Sequence, residues 1–168
     1  MVEAHLEKGL SMGALILKTG DLFTSTAPAL MQGVNVDGQM WSGIAPTFRD
    51  RFPMMHDMYL RICANQTFKP GQFFYWPPIE NRTAVFNLAS QDRRGANARL
   101  EWLEESLRKA LDHADEIHFK TVAMPRIGCG VGGLDWADVE PVVAALAQSH
   151  QCDVEVWTQR RFGIGPRK

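Results

Sequence analysis

Little in this sequence points toward a membrane, a metal or a polyanion. The apolar run at Ala14–Leu17 is broken at once by Lys18-Thr19-Gly20-Asp21, so it is far too short for a signal or transmembrane segment. Formal net charge over the 168 residues is −1, which leaves no global field to draw nucleic acid or an anionic surface. Contact with a nucleic acid therefore has to be local, and Arg93-Arg94 and the closing "RRFGIGPRK" are the places for it. Cysteine is scarce: Cys63, Cys129 and Cys152 form no CxxC pair and no metal-ligand spacing. No metal site is expected, and an odd set of thiols suits a reducing, cytoplasmic setting. No internal repeat or low-complexity stretch interrupts the chain. What remains, 45% apolar and 22% charged residues, is the composition of an ordinary globular domain.

Apolar periodicity divides that domain into alternating strands and helices. Short apolar runs at Ala14–Leu17, Ala29–Val34, Thr121–Met124 and Val154–Thr158 predict strands. So do the aromatic and β-branched segments "KPGQFFYWPP" and "TAVFNLAS", which are expected to be neighbours. The first of these runs is expected to be buried. Gly43–Arg51 reads as a helix with Ile44 and Phe48 on one face, and a second helix follows Pro53 with Met55, Met58 or Tyr59, and Ile62 inside. Leu100, Leu103, Leu107 and Leu111 stripe one face of Ala96–Ala114, with Glu104–Arg108 and Glu105–Lys109 as (i, i+4) pairs outside. Val139, Val142, Val143 and Leu146 predict a last helix. Such alternation implies a layered α/β fold with a largely parallel sheet, whose ligands sit at the carboxyl ends of the strands.

Three loops at such ends are unusual. In Gly20-Asp21-Leu22-Phe23, the aspartate either accepts from an exocyclic amine or caps its own turn. In "NVDGQMWSGIA", from Asn35 to Ala45, small residues precede a helix start, where Ser42 either caps the helix or belongs to an anion site. "MPRIGCGVGGLDW" carries Gly128, Gly130, Gly132 and Gly133, whose bare backbone suits a nest around phosphate oxygens. That loop has neither a Walker A lysine nor a GxGxxG pattern. Asp135 reads as the cap of the following helix with Asp138 in its first turn, and Cys129 as a packed residue with no base beside it. Two phosphate-friendly loops and an amine-accepting aspartate together suit a nucleotide diphosphate with adenine at one end.

These same stretches, "LKTGDLF", "NVDGQMWSGIAPTFRDRFP" and "MPRIGCGVGGLDW", resemble the three ligand motifs of the macro domain, the ADP-ribose-binding module, across roughly residues 13 to 158. The resemblance implies a three-layer α/β/α sandwich around a mixed, mostly parallel sheet. It divides the chain into an N-terminal extension at 1–12, the domain at 13–160 and a basic tail at 161–168. "MPRIGCG" and the "GIA" helix start look most like the branch holding terminal ADP-ribose glycohydrolases, DNA-ADP-ribose-removing antitoxins and yeast-type ADP-ribose-1''-phosphate phosphatases.

The resemblance further implies that Asp21 receives the adenine amine, Leu22 supplies an N–H, and Asn35 lies near the proximal ribose. Ser42, Gly43, Ile44 and Ala45 flank the diphosphate from one side. Gly128, Cys129, Gly130, Val131, Gly132 and Gly133 face it from the other. ADP-ribose is then ligand or substrate, no further cofactor is needed, and nucleic acid enters only as a modified substrate. Two departures bear on activity: Gln91 and Gly132 stand where glycohydrolases of this branch carry a lysine and an acid. Glutamine forms no Schiff base and glycine is no general base. Asn35, Asp37 and Gln91 are the catalytic candidates, with Asp92 and His56 behind them. The expected function is hydrolysis of an ADP-ribose derivative, the alternative a non-catalytic reader.

Overall fold

The computed structural model describes residues 11–160. The basic tail and all but Ser11 and Met12 of the expected extension lie outside them. Six strands, β1 (Leu15–Thr19), β2 (Ala29–Asn35), β3 (Phe73–Trp76), β4 (Ala84–Gln91), β5 (Thr121–Pro125) and β6 (Asp153–Thr158), make one sheet. Its order is β1-β6-β5-β2-β4-β3, parallel throughout except for β3, which runs antiparallel to β4. The helices are α1 (Ala45–Arg51), α2 (Pro53–Ala64), α3 (Leu100–Glu116) and α4 (Trp136–Gln148).

Side-chain alternation builds the three layers. Ala29 and Met31 of β2, Phe86 and Leu88 of β4, and Val122 and Met124 of β5 point to one face, where α3 and α4 cover them with Leu103, Leu107, Leu111, Val139 and Val143. The alternate residues Leu30, Val85 and Ala123 point the other way, onto Phe48, Phe52 and Met55 of α1 and α2. Buried polar groups on that second face pair with each other, Gln32 Nε2 donating to Asn87 Oδ1 at 2.8 Å. Of the alternatives on α2, Tyr59 is buried and Met58 is exposed. No helix among the described residues is long and apolar enough to cross a membrane.

Two expectations about elements need correction. The first strand runs to Thr19, and it is an edge strand rather than a buried one. It pairs only with β6, and Leu17 is 58% exposed. The helix expected over Ala96–Ala114 runs over Leu100–Glu116, beginning four residues later, at the first leucine of its apolar stripe. Residues 96–99 are taken by backbone pairing instead: Ala98 bridges Gln91, and the Arg99 N–H donates to Ser90 O at 3.0 Å. Tertiary hydrogen bonds outcompete local propensity there. Of the two ion pairs, Glu105–Lys109 closes at 2.8 Å, whereas Glu104–Arg108 makes none among the described residues.

Strand order also places the ligand crevice. After β2 the chain moves to β4 on one side and later returns to β5 on the other, a topological switch point. The β2–β5 ladder holds only through Ala29–Val122 and Leu30–Ala123. Beyond it Ile127 is wedged so close that a Cβ on Gly33 would lie 2.6 Å from its Cγ2. The carboxyl ends of β2 and β5 therefore part and open a gap.

Candidate functional site

That gap is the inner end of a two-chambered cleft. The outer chamber, about 940 Å³, collects residues from the ends of β1, β5 and β6 and from α1. The inner one, about 210 Å³, lies among the ends of β2, β4 and β5. Gly43, Ile44, Pro125, Arg126 and Gly130 line both and form the waist between them.

Asp21 and Leu22 line the outer chamber. Asp21 Oδ1 accepts from the Phe23 N–H at 3.0 Å, so this aspartate does cap its own turn. Its second carboxylate oxygen remains for another donor. Leu22, first in a 3-10 turn at Leu22–Thr24, has an N–H without an intrahelical partner.

Ser42 and Ala45 line the inner chamber beside the waist residues Gly43 and Ile44. Ser42 does not cap α1 through its side chain. Ile44 occupies the cap position without a side-chain bond, and the Ala45 N–H donates to Ser42 O at 3.3 Å. The N–H groups of Gly43 and Ile44, at the waist, find no hydrogen-bond partner among the described residues.

The glycine loop divides its labour. Gly128, Val131 and Gly132 line the inner chamber, Cys129 and Gly133 the outer, and Gly130 both. Cys129 N–H donates to Arg126 O at 3.1 Å and Gly133 N–H to Gly130 O at 3.3 Å. The free nest is therefore narrower than the composition suggests and centres on residues 130–132. A Cβ on Gly132 would lie 2.7 Å from Gly128 O and 2.8 Å from Ala98 Cβ, so this glycine permits close packing. A Cβ on Gly130 would meet nothing within 4 Å; its bareness faces the cleft. Asp135 caps α4, its Oδ1 accepting from the Ala137 N–H at 3.0 Å.

Burial pushes the Cys129 thiol up to about 11, against a smaller opposing pull from Arg126. Alkylation of Cys129 near pH 8 is expected to run about tenfold or more slower than that of a free thiol, because little thiolate is present. It should quicken as pH rises and slow when ligand fills the outer chamber. Mass-spectrometric labelling time courses check this; labelling at the rate of free cysteine would mean an activated nucleophile instead.

The catalytic candidates are less favourably placed. Asn35 lines the inner chamber, but its side chain is committed. Its Oδ1 accepts from Asp37 N–H, Gln39 N–H and the Tyr59 hydroxyl at 3.1, 3.1 and 2.9 Å, and its Nδ2 donates to Gln39 O at 2.9 Å. Gln91 also lines the inner chamber, with Nε2 donating to Arg93 O at 2.6 Å and Gly95 O at 3.3 Å. Asp37, Asp92 and His56 line neither chamber. Asp37 is exposed on a turn that Asn35 holds, and Asp92 lies 3.6 Å from Arg93. His56 sits on α2, its basicity lowered by burial and by Arg49.

Several lining residues escaped the sequence reading. Arg126 reaches both chambers with its guanidinium 4.9 Å from the Trp136 ring centre, and Arg94 lines the inner one. Trp157 and Thr158 at the end of β6 and Gln159 just after it border the outer chamber together with Phe23. The signal for the last group was present. In a parallel sheet, whatever follows β6 lies level with the loops that follow its neighbours.

Comparison with known proteins places this geometry. Residues 31–143 match the family model described as the Macro domain. A DNA ADP-ribosyl glycohydrolase of Mycobacterium tuberculosis is 30% identical over 142 residues, 83% of this chain and 40% of the relative. An ADP-ribose 1''-phosphate phosphatase of Candida albicans is 25% identical over 144 residues, 78% of this chain and 92% of the relative. The solved macrodomain of Mycobacterium tuberculosis DarG superposes with a TM-score of 0.79 at 28% identity, covering 86% of this chain and 97% of that one. The chain spans about 40% of the length of the DNA ADP-ribosyl glycohydrolases it matches. With the family model matched over more than half its length, and a switch-point cleft where the ligand motifs converge, the chain belongs to the macro domain family.

Proposed function

We propose that the two-chambered cleft binds ADP-ribose and that the protein hydrolyses a group from its distal ribose, either a 1''-phosphate or an ADP-ribosyl link to a macromolecule. The observation that carries this reading is the waist. Gly43 and Ile44 on one wall and Gly130 on the other present unpartnered backbone donors where the two chambers meet. Such donors suit a diphosphate. The adenosine end then occupies the outer chamber, with Asp21 and Leu22 as partners for the base. The distal ribose, rather than the proximal one that the resemblance implies for Asn35, enters the inner chamber beside Asn35 and Gln91. The named relatives, a DNA ADP-ribosyl glycohydrolase and an ADP-ribose 1''-phosphate phosphatase, support hydrolysis of this class of substrate. Three free cysteines support a cytoplasmic setting.

One observation favours the reader as a second reading. Among the described residues no Asp, Glu, His or Lys lines the inner chamber, so none of them offers water there a carboxylate or imidazole base. What the chamber offers is positive charge and fixed amides, which stabilise a departing oxyanion rather than generate hydroxide. Incubation with ADP-ribose-1''-phosphate, ADP-ribosylated DNA and ADP-ribosylated protein, read as phosphate and free ADP-ribose, separates the two. Release from at least one substrate, inhibited by ADP-ribose, is the expected result. Tight ADP-ribose binding with no release from any would make the protein a reader.

A further inference from the structure

We propose that Arg94 is a specificity-determining residue. It selects ligands that carry a phosphate group next to the distal ribose, and Gln91 is the positioning residue that presents it. This inference rests on the ADP-ribose reading of the cleft.

The inner chamber has two charged lining residues, Arg94 and Arg126. Arg126 stacks over Trp136, which lines the outer chamber, so its charge serves the waist and the outer side. Arg94 is thus the cation proper to the inner end. It rides on the short loop after β4, and several hydrogen bonds fix that loop. Gln91 Nε2 holds the carbonyls on both sides of Arg94, those of Arg93 and Gly95. Asn97 Nδ2 holds the Arg94 carbonyl itself at 2.7 Å. Gly95 turns the chain with φ +91, a conformation suited to glycine. The Ala98 N–H then donates to Gly132 O at 3.1 Å and ties this loop to the glycine loop beside it.

Arg94 is exposed, and a loop held at this many points gives its side chain a set origin at the edge of the inner chamber. The charge is also uncompensated. Arg93 has Asp92 at 3.6 Å, while Arg94 makes no ion pair among the described residues. A guanidinium fork reaching from this loop toward a chamber that no Asp or Glu lines among the described residues matches phosphate oxygens in geometry and charge. The phosphate can be a 1''-monoester or a backbone phosphate of a nucleic acid to which the ribose is joined.

Displacement of a fluorescent ADP-ribose conjugate, read immediately after mixing, tests this with three competitors. They are ADP-ribose, ADP-ribose-1''-phosphate and an ADP-ribosylated oligodeoxynucleotide. Wild-type protein should prefer at least one phosphate-bearing competitor over ADP-ribose by about tenfold at low salt. Which one it prefers identifies the source of the phosphate.

Arg94→Gln should reduce that ratio to about twofold or less while leaving ADP-ribose itself nearly unchanged, and Arg94→Lys should keep part of it. Gln91→Ala should lower the ratio with little change in melting temperature, and Arg93→Gln should leave it intact. The proposal is overturned by an unchanged ratio in Arg94→Gln, by equal loss for all three competitors, or by a wild type that binds ADP-ribose without preference. A wild type that binds none of the three overturns the cleft reading itself, and the role of Arg94 with it.

Discussion

Gly130→Glu should weaken ADP-ribose binding more than a hundredfold without unfolding the protein. A Cβ at this position meets no heavy atom within 4 Å, and its backbone is not among the positive-φ glycines. The fold therefore tolerates a side chain there, and any loss belongs to the ligand. Gly130 lines both chambers at the waist, where the diphosphate is proposed to sit. A carboxylate about 4 Å from a phosphate charge costs about 4 kcal/mol at an effective dielectric near 20. Screening trims this to about 3 kcal/mol, a factor above one hundred.

Gly130→Ala, which adds bulk without charge, should lose only a few-fold. Gly132→Ala should behave in the opposite way, lowering the melting temperature through its clash with Gly128 O and Ala98. Calorimetry with ADP-ribose and thermal melts read both quantities. Unchanged affinity in Gly130→Glu would remove the diphosphate from the waist.

This contrast shows how far the sequence could be read. Four glycines in thirteen residues announce a loop that needs bare backbone, but not that one is bare for the ligand and another for Ala98. The difference lies in a contact between residues 34 apart in the chain. The strands were legible for a local reason, since Met31, Phe86 and Met124 alternate with Leu30, Val85 and Ala123 in period two. The start of α3 was not legible, because residues 96–99 are held by Ser90, Gln91 and Gly132. Arg94 was visible only as half of a basic pair; its place in the cleft depends on the Gln91 amide.

Polar residues at strand ends are the hardest to assign from sequence. Asn35 and Gln91 are polar and stand at the loops where a chemical group is expected. Both do reach the inner chamber, yet the structure spends their amides on holding loops. The backbone groups of a tight turn need partners wherever water is excluded. A side-chain amide, both donor and acceptor, is the residue type that supplies them. The same composition thus serves catalysis or scaffolding, and only hydrogen-bond partners tell them apart.

Asn35→Ala is the substitution that separates those roles. Asn35 is 5% exposed, and truncation would strip the Asp37 and Gln39 N–H groups of their acceptor and the Gln39 carbonyl of a donor. The Tyr59 hydroxyl keeps a second acceptor in Asn35 O at 2.8 Å. Burial holds that hydroxyl's acidity well below its usual level, so it stays a donor at any working pH. Each orphaned buried group costs about 1–3 kcal/mol, and partial rehydration offsets some of the sum. A loss of about 3 kcal/mol is expected, which for a chain of this size lowers the melting temperature by about 6–12 °C.

Tyr59→Phe, which removes only the hydroxyl, should lose about 1 kcal/mol. Ligand affinity and any turnover should fall together in Asn35→Ala, because the loop that carries Gly43 and Ile44 is released. An Asn35→Ala protein with an unchanged melting temperature and unchanged ADP-ribose affinity, but no turnover, would instead make Asn35 a catalytic residue.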